Sequence, residues 1–507
     1  MMDSYDFVVV GAGTAGCVIA SRLSERTEAQ VLLLEAGSAL TVDEVGKPQA
    51  WSKLRGTPAN WGESTVVQAA SGTSIPLARG RGWGGSSSIN AMLFARGHRS
   101  SYDAWVAQDA KGWGFDDLLP YLRRSEQTVG RDPALRGTDG PLVVGPGAAL
   151  NPFVEDCWNA ATELGHRRAT DISGGSEDGF GRVDQNIVDG RRQSAADAYL
   201  APAASRPNLR VVSGATVTRL RLNGEKCVGL DYWSESGELV SVVCGEEVVI
   251  AAGTVGSATL LMRSGIGPED HLRDMGLSVA WSLPGVGSNL HDHPTCAVVY
   301  LPKSSVSPKM DNHLERVLGL AHSQLSTGAP DLQILFQDNP VAGPNQTAPP
   351  HGYAIRASLM LPHSRGTVRL SRADPSAAPV LDPQYYSDAR DLRIMRDGLD
   401  MAREIGRAKA LEPWREAEYL PGPDLKDDAQ LHSYLLASLG SYSHPVGTCR
   451  MGTDRHAVVD TQLRVHGIDR LRVADGSIIP SLPSANTNAT IYGIAERAVE
   501  LIAGDSW

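Results

Sequence analysis

Two kinds of apolar patterning alternate at the start of this chain. Phe7–Val10 is apolar at every position, as a strand buried on both faces must be, and Val31–Leu34 repeats the pattern. Between them Cys17–Ser24 carries a helical spacing, so the order is strand, helix, strand. That order predicts a β-α-β unit and an α/β fold. Further on, Ala91–Phe94 is apolar enough to be buried, Leu471–Ala474 reads as a strand, and Tyr492–Leu501 as an amphipathic helix. Ala354–Leu361 and Gly366–Leu370 read as strands separated by a turn. Pro330, Pro340, Pro344, Pro349 and Pro350 mark a loop-rich stretch. No run approaches the ~18 apolar residues that suggest a membrane span, and no internal repeat is present.

At 507 residues the chain exceeds one ordinary core, and two interleaved domains are expected. Its 42% apolar and 21% charged composition is that of a soluble globular protein. The net charge of −11 argues against nucleic acid or an anionic membrane as partner. Cys17, Cys157, Cys227, Cys244, Cys296 and Cys449 are scattered without metal-type spacing, which fits reduced thiols. Residues 1–6 lack a basic export-type segment, so a cytoplasmic location is the expectation.

The first strand runs straight into Gly11, Gly13 and Gly16, a G-x-G-x-x-G turn opening a helix. Gly11 permits the tight turn, Gly13 lets the backbone approach a pyrophosphate, and Gly16 lets the helix pack against the strand. The helix start then supplies amide donors and a favourable dipole for phosphate. Glu35 ends the second strand at the spacing of an acid that binds a ribose hydroxyl, which disfavours a 2′-phosphate. A dinucleotide site is implied. A motif at the start of the chain suits FAD, and these residues alone leave NAD open. A second box, Ala78–Asn90, is dense in glycine and serine, and bare backbone with small hydroxyls suits a segment lying on a flat polar ring.

Gly11–Glu35, Gly80–Asp103, Gly253–Gly267 and His444–Ile502, in this order, resemble the glucose–methanol–choline (GMC) oxidoreductases, most closely the bacterial choline-dehydrogenase-like and alcohol-dehydrogenase-like members. Smaller matches are Asn60–Gly62, Ser194–Leu200 and Val286–Pro294. The resemblance implies a discontinuous, Rossmann-like FAD-binding domain over 1–145, 190–295 and 430–507. An α+β substrate-binding domain with an antiparallel sheet would occupy 146–189 and 296–429. It also implies FAD contacts at Thr14, Ala15, Ala36 and Trp61 beside the first motif. Others fall at Arg81, Gly84, Gly85, Asn90, Ala91, Met92 and Leu93 in and after the second box. Val217, Ala252, Gly253, Asp475, Gly476, Asn488 and Thr490 complete the set. Ile89 stands where some members carry a flavin-linked histidine, so the FAD is expected to be non-covalent. Ser257-Ala258 lacks the family's usual proline, a loss expected to alter a helix start.

Oxidising an alcohol removes a hydroxyl proton and a hydride from one carbon. A flavin N5 accepts the hydride, and a protein group must take the proton. The resemblance puts that role on His444, with Asn488 hydrogen-bonding the oxygen. Oxygen or a quinone- or cytochrome-type carrier would take the electrons. The same fold leaves room for a redox-silent hydroxynitrile lyase or a flavin-binding protein without turnover. His291 and His293 lack a third partner for a metal, and Cys449 has no activating neighbour, so no metal is expected and the thiol reads as packing.

Overall fold

The computed structural model describes residues 3–25, 28–39, 43–146, 150–174, 178–303 and 316–504. Met1 and Met2, part of the stretch read above for an export signal, lie outside the described residues.

The early apolar runs form the elements their pattern predicts. β1 (Asp3–Val10) leads into α1 (Thr14–Leu23) and then β2 (Val31–Leu34). β1 pairs in parallel with β2, and on its other side with the strand Leu239–Ile250. Leu209–Val212 extends the parallel layer beyond β2, and Leu471–Val473 extends it beyond Leu239–Ile250. Val8, Val9, Leu33, Val248 and Val249 are wholly buried, which is why these runs show no polar alternation. The five strands end on one edge, at Val10, Leu34, Val212, Ile250 and Val473. Ligands of α/β sheets gather at that carboxyl edge. The antiparallel pair Thr216–Asn223 and Lys226–Trp233 completes the sheet.

A second sheet is antiparallel through its centre, in the order Arg415–Leu420, Pro294–Pro302, Tyr353–Leu359, Leu332–Gln337, Val317–Ala321 and Gly179–Arg182. Arg168–Ala169 adds a short parallel edge. Strand alternation gives this sheet two unlike faces. Leu332, Ile334, Phe336, Tyr353, Ile355, Ala357 and Leu359 enter a core closed by Ile394, Met395, Leu399 and Ile405 of the helix Ala389–Arg407. Gln333, Leu335, Gln337 and Arg356 occupy the opposite face.

Several expectations are corrected. Thr367–Arg369 pairs with Val380–Asp382 and not with Tyr353–Leu359, and Val368, Leu370 and Leu381 join the core of the first sheet. Residues 366–382 therefore pack with the first sheet although they fall in the expected substrate domain. Conversely, Pro294–Thr295 and Gly440–Ser441, all expected with the FAD domain, pair with each other as part of the second sheet. The proline-marked stretch holds a fully buried central strand, Leu332–Gln337, because its prolines flank that strand without interrupting it. The helix Gly253–Arg263 starts four residues before Ser257, so Ser257-Ala258 lies inside it and the missing proline does not alter its start. Among the described residues no helix is long and apolar enough to cross a membrane.

Candidate active site

The turn after β1 is shaped by contacts that exclude side chains. Gly11 has φ +98°, and a Cβ on Gly16 would stand 1.8 Å from the Gly11 carbonyl oxygen. Helix α1 begins at Gly13 with no side-chain cap, leaving its amide end to the carboxyl edge of the sheet. Glu35 is buried, and its carboxylate accepts from the amides of Ala12 (2.8 Å), Gly37 (2.7 Å) and Gly82 (3.0 Å). It thereby ties the first glycine turn to the second glycine box. Asp475 accepts from the Gly253 amide at 2.8 Å and Ser257 Oγ at 2.5 Å, capping the next helix, and burial pushes its pKa up.

These pieces line a cleft of about 390 Å³. Glu35, Ala36, Trp61 and Val217 lie in its wall, as do Gly11, Gly13, Thr14, Ala15 and Gly85. Ala252, Gly253, Asp475 and Gly476 also line it, and Ser443 and His444 join them. An uncapped helix start, a glycine floor and an acid at the end of β2 fit a dinucleotide. Nine expected contacts do not line the cleft; Asn90, Ala91, Leu93 and Asn488 line an inner cavity, and five line neither. Gly16 is spent on helix packing, and Gly84 gives its amide to the Ala12 carbonyl. Arg81 braces the wall from behind, its guanidinium 5.0 Å from the Trp61 ring and 3.3 Å from the Ala36 carbonyl. Met92 is buried with its amide on Asn90 Oδ1, and Thr490 Oγ1 pairs with the Tyr102 hydroxyl at 2.9 Å.

A second, inner cavity of about 140 Å³ adjoins the cleft, with Ile89, Asn90, Ala91, Leu93 and Asn488 in its wall. The two share Thr14, Ser86, Ser443, His444, Thr487 and Ile491, so His444 stands where they meet. Ser443, at φ +63°, turns the chain to present the imidazole. The His444 amide donates to Asp292 Oδ1 at 2.7 Å. Asp292 also accepts from the His293 amide and from the Tyr385 and Ser441 hydroxyls, while burial pushes its pKa up.

The ring contacts fix a tautomer. Asn486 Nδ2, which can only donate, lies 3.3 Å from His444 Nε2, so Nε2 carries the lone pair. Nδ1 then carries the hydrogen and donates to His293 Nδ1 at 2.9 Å. His293 must hold its own proton on Nε2, on a ring approached by the carbonyls of Met360 and Pro483. Burial holds His444 down to about 3 and His293 well below the usual histidine range, so both are neutral near pH 7. His291 is likewise lowered, with Nδ1 on the Asn289 carbonyl and Nε2 accepting from the Leu482 amide. No group of metal-ligand type forms among the described residues.

The expected pairing of His444 with Asn488 is corrected by two residues. Asn488 Oδ1 accepts from Thr14 Oγ1 at 3.2 Å, joining the starts of two helices. Asn486 immediately precedes the helix Thr487–Ala503, does not cap it, and is free to reach His444. Gln333 Nε2, 3.5 Å away, orients the Asn486 amide from the second sheet. Sequence reading also missed Arg316 and Arg356, which line the inner cavity. Nothing local marks them, since sheet register alone brings them to the site.

Two family models described as GMC oxidoreductase match residues 5–295 and 362–495. Human mitochondrial choline dehydrogenase is 36% identical, with 99% of this chain and 90% of that protein covered. The oxygen-dependent choline dehydrogenase of Vibrio vulnificus is 35% identical over 99% of this chain and 95% of its own. Among solved structures, pyridoxine 4-oxidase from Mesorbium loti superposes with a TM-score of 0.94 at 34% identity, covering 98% of each chain.

Proposed function

This chain belongs to the GMC oxidoreductase family, and from that premise we propose that His444 accepts the hydroxyl proton when the protein oxidises an alcohol. The protein is an FAD-dependent alcohol oxidoreductase that converts CH–OH to the aldehyde or ketone. When bound, FAD supplies the acceptor for the hydride leaving the carbinol carbon. The cleft residues from Glu35 and Val217 to Asp475 and Gly476 would hold it, and Ile89 offers no nucleophile for a covalent link.

The observation that carries the assignment is the His444 ring at the junction of cleft and inner cavity, with Nε2 beside the Asn486 amide. A carbinol in the inner cavity meets Nε2 and the Asn486 amide together. As the carbonyl forms, the hydroxyl proton passes to Nε2, and Asn486 Nδ2 hydrogen-bonds the oxygen. Burial opposes a standing charge on the ring, so the imidazolium exists only while negative charge develops beside it. His293 accepts the Nδ1 hydrogen throughout and holds the productive tautomer.

The test is anaerobic bleaching of the yellow holoprotein by an alcohol. His444→Ala retains the bound-FAD spectrum and slows reduction by at least about 10²-fold. Reduction of the variant at the parental rate overturns the assignment.

A further inference from the structure

We propose that the alcohol oxidised here carries a carboxylate, held by Arg316 and Arg356 while its hydroxyl reaches His444. This rests on the reading of the inner cavity as the site of alcohol oxidation and names the class of substrate it takes. The cavity wall contains three arginines and no acid: Arg55, Arg316 and Arg356 come from three separate segments. Arg55 belongs to the turn Lys53–Gly56, Arg316 immediately precedes the strand Val317–Ala321, and Arg356 sits in the strand Tyr353–Leu359.

Other buried guanidinium groups meet protein carboxylates or carbonyls, although some leave one nitrogen unpartnered. Arg96 and Arg136 meet Glu126, Arg403 meets Glu418, and Arg192 donates to the carbonyls of Val45 and Ser87. Among the described residues, the Arg316 and Arg356 side chains make no hydrogen bond or ion pair to a carboxylate or carbonyl, and Arg316 is 6% exposed with its Nε unsatisfied. Asp338, which faces Arg316, lines the outer cavity and not the inner one. Arg356 faces no acid and Arg316 reaches Asp338 only on the outer side, so an anion that arrives with the substrate supplies the negative charge missing from the inner cavity. A planar carboxylate suits the guanidinium fork.

The arrangement also sets direction. Arg55, Arg316, Gln337 and Arg356 line both the inner cavity and an outer one of about 1090 Å³, so they form the wall between the two. Tyr442 stands between Arg356 and His444, its ring 5.9 Å from the guanidinium carbon and 4.5 Å from the imidazole centroid. The carboxylate thus lies toward the outer cavity and the carbinol inside. A quaternary ammonium alcohol meets the opposite conditions. It finds no carboxylate, and Arg356 and Arg55 already lie over the Tyr442 and Trp51 rings that would otherwise stabilise it.

The experiment compares anaerobic flavin reduction of the holoenzyme by short ω-hydroxy carboxylates, by their neutral amides and by choline. The best carboxylate is expected to exceed its amide by about 10–100-fold in kcat/KM. In Arg316→Met and Arg356→Met that ratio falls toward one, and in Arg356→Lys part of it returns. Calorimetry supplies a readout independent of turnover: propanoate binds the parent protein, propanamide does not, and both Met variants lose propanoate. Choline or an amide oxidised as well as the carboxylates, or a ratio unchanged in both Met variants, overturns the proposal. If no alcohol bleaches the flavin, the oxidation reading fails, and propanoate calorimetry still decides the anion site.

Discussion

Two asparagines two positions apart do different work, and the difference is measurable. Asn486 donates to His444 Nε2, whereas Asn488 receives the Thr14 hydroxyl and links two helix starts. Asn486→Ala removes the donor beside the reacting oxygen and is expected to lower the flavin reduction rate by about 10–100-fold with FAD affinity kept. Asn488→Ala is expected to weaken FAD retention more than it slows reduction. Stopped-flow reduction and FAD dissociation, measured on both variants, check the contrast, and reversed effects refute it. Residue-level motifs led to the correct neighbourhood here. They missed the partner by two positions because Asn486, Thr487 and Asn488 are all capping-type residues, so the sequence does not show which one starts the helix and which amide turns toward the cavity. The place of Glu35 in the cleft wall was legible for the opposite reason: it ends a strand that the apolar pattern displays.

Elements whose partners lie next to them in sequence were the most legible. β1, α1 and β2 follow from local periodicity, and Val31–Leu34 was placed without error. The strand Leu332–Gln337 was hidden because both its faces are buried and prolines surround it. Contacts between distant helices left no trace in the sequence either. Arg22 of α1 pairs at 2.8 Å with Glu496 of the helix Thr487–Ala503, 474 residues away, and Glu496 also accepts from the Tyr199 hydroxyl at 2.9 Å. Glu496 is 1% exposed, so removing it strands two donors in the packing between the helices whose starts flank the site. Glu496→Ala is expected to cost about 2–4 kcal/mol in urea denaturation. A loss below about 0.5 kcal/mol would show that the pair contributes nothing beyond an exposed ion pair.

At the scale of the whole molecule, three neutral imidazoles, two buried and one half-buried at the cleft, make stability depend on acid. His291, His293 and His444 are all lowered by burial, from an ordinary value of 6.5 to about 3 for His444. The unfolded chain therefore binds protons below about pH 6.5 that the folded chain refuses. Stability is full above that point and is lost progressively as pH falls toward about 3. Melting temperatures recorded between about pH 7 and about pH 5 should decline, and His293→Asn should soften the slope by removing one such group. A flat profile in the parent protein would contradict the burial of these rings.

The two-faced second sheet has a consequence for how this enzyme can change. Because alternate positions on Leu332–Gln337 and Tyr353–Leu359 belong to different surroundings, the odd-numbered or even-numbered set on one strand can vary while its neighbours stay constant. New substrate preferences can therefore arise through exchanges at Gln337 or Arg356, with little disturbance to the apolar packing behind them. A single scaffold can drift among alcohols of different charge while its melting behaviour barely moves.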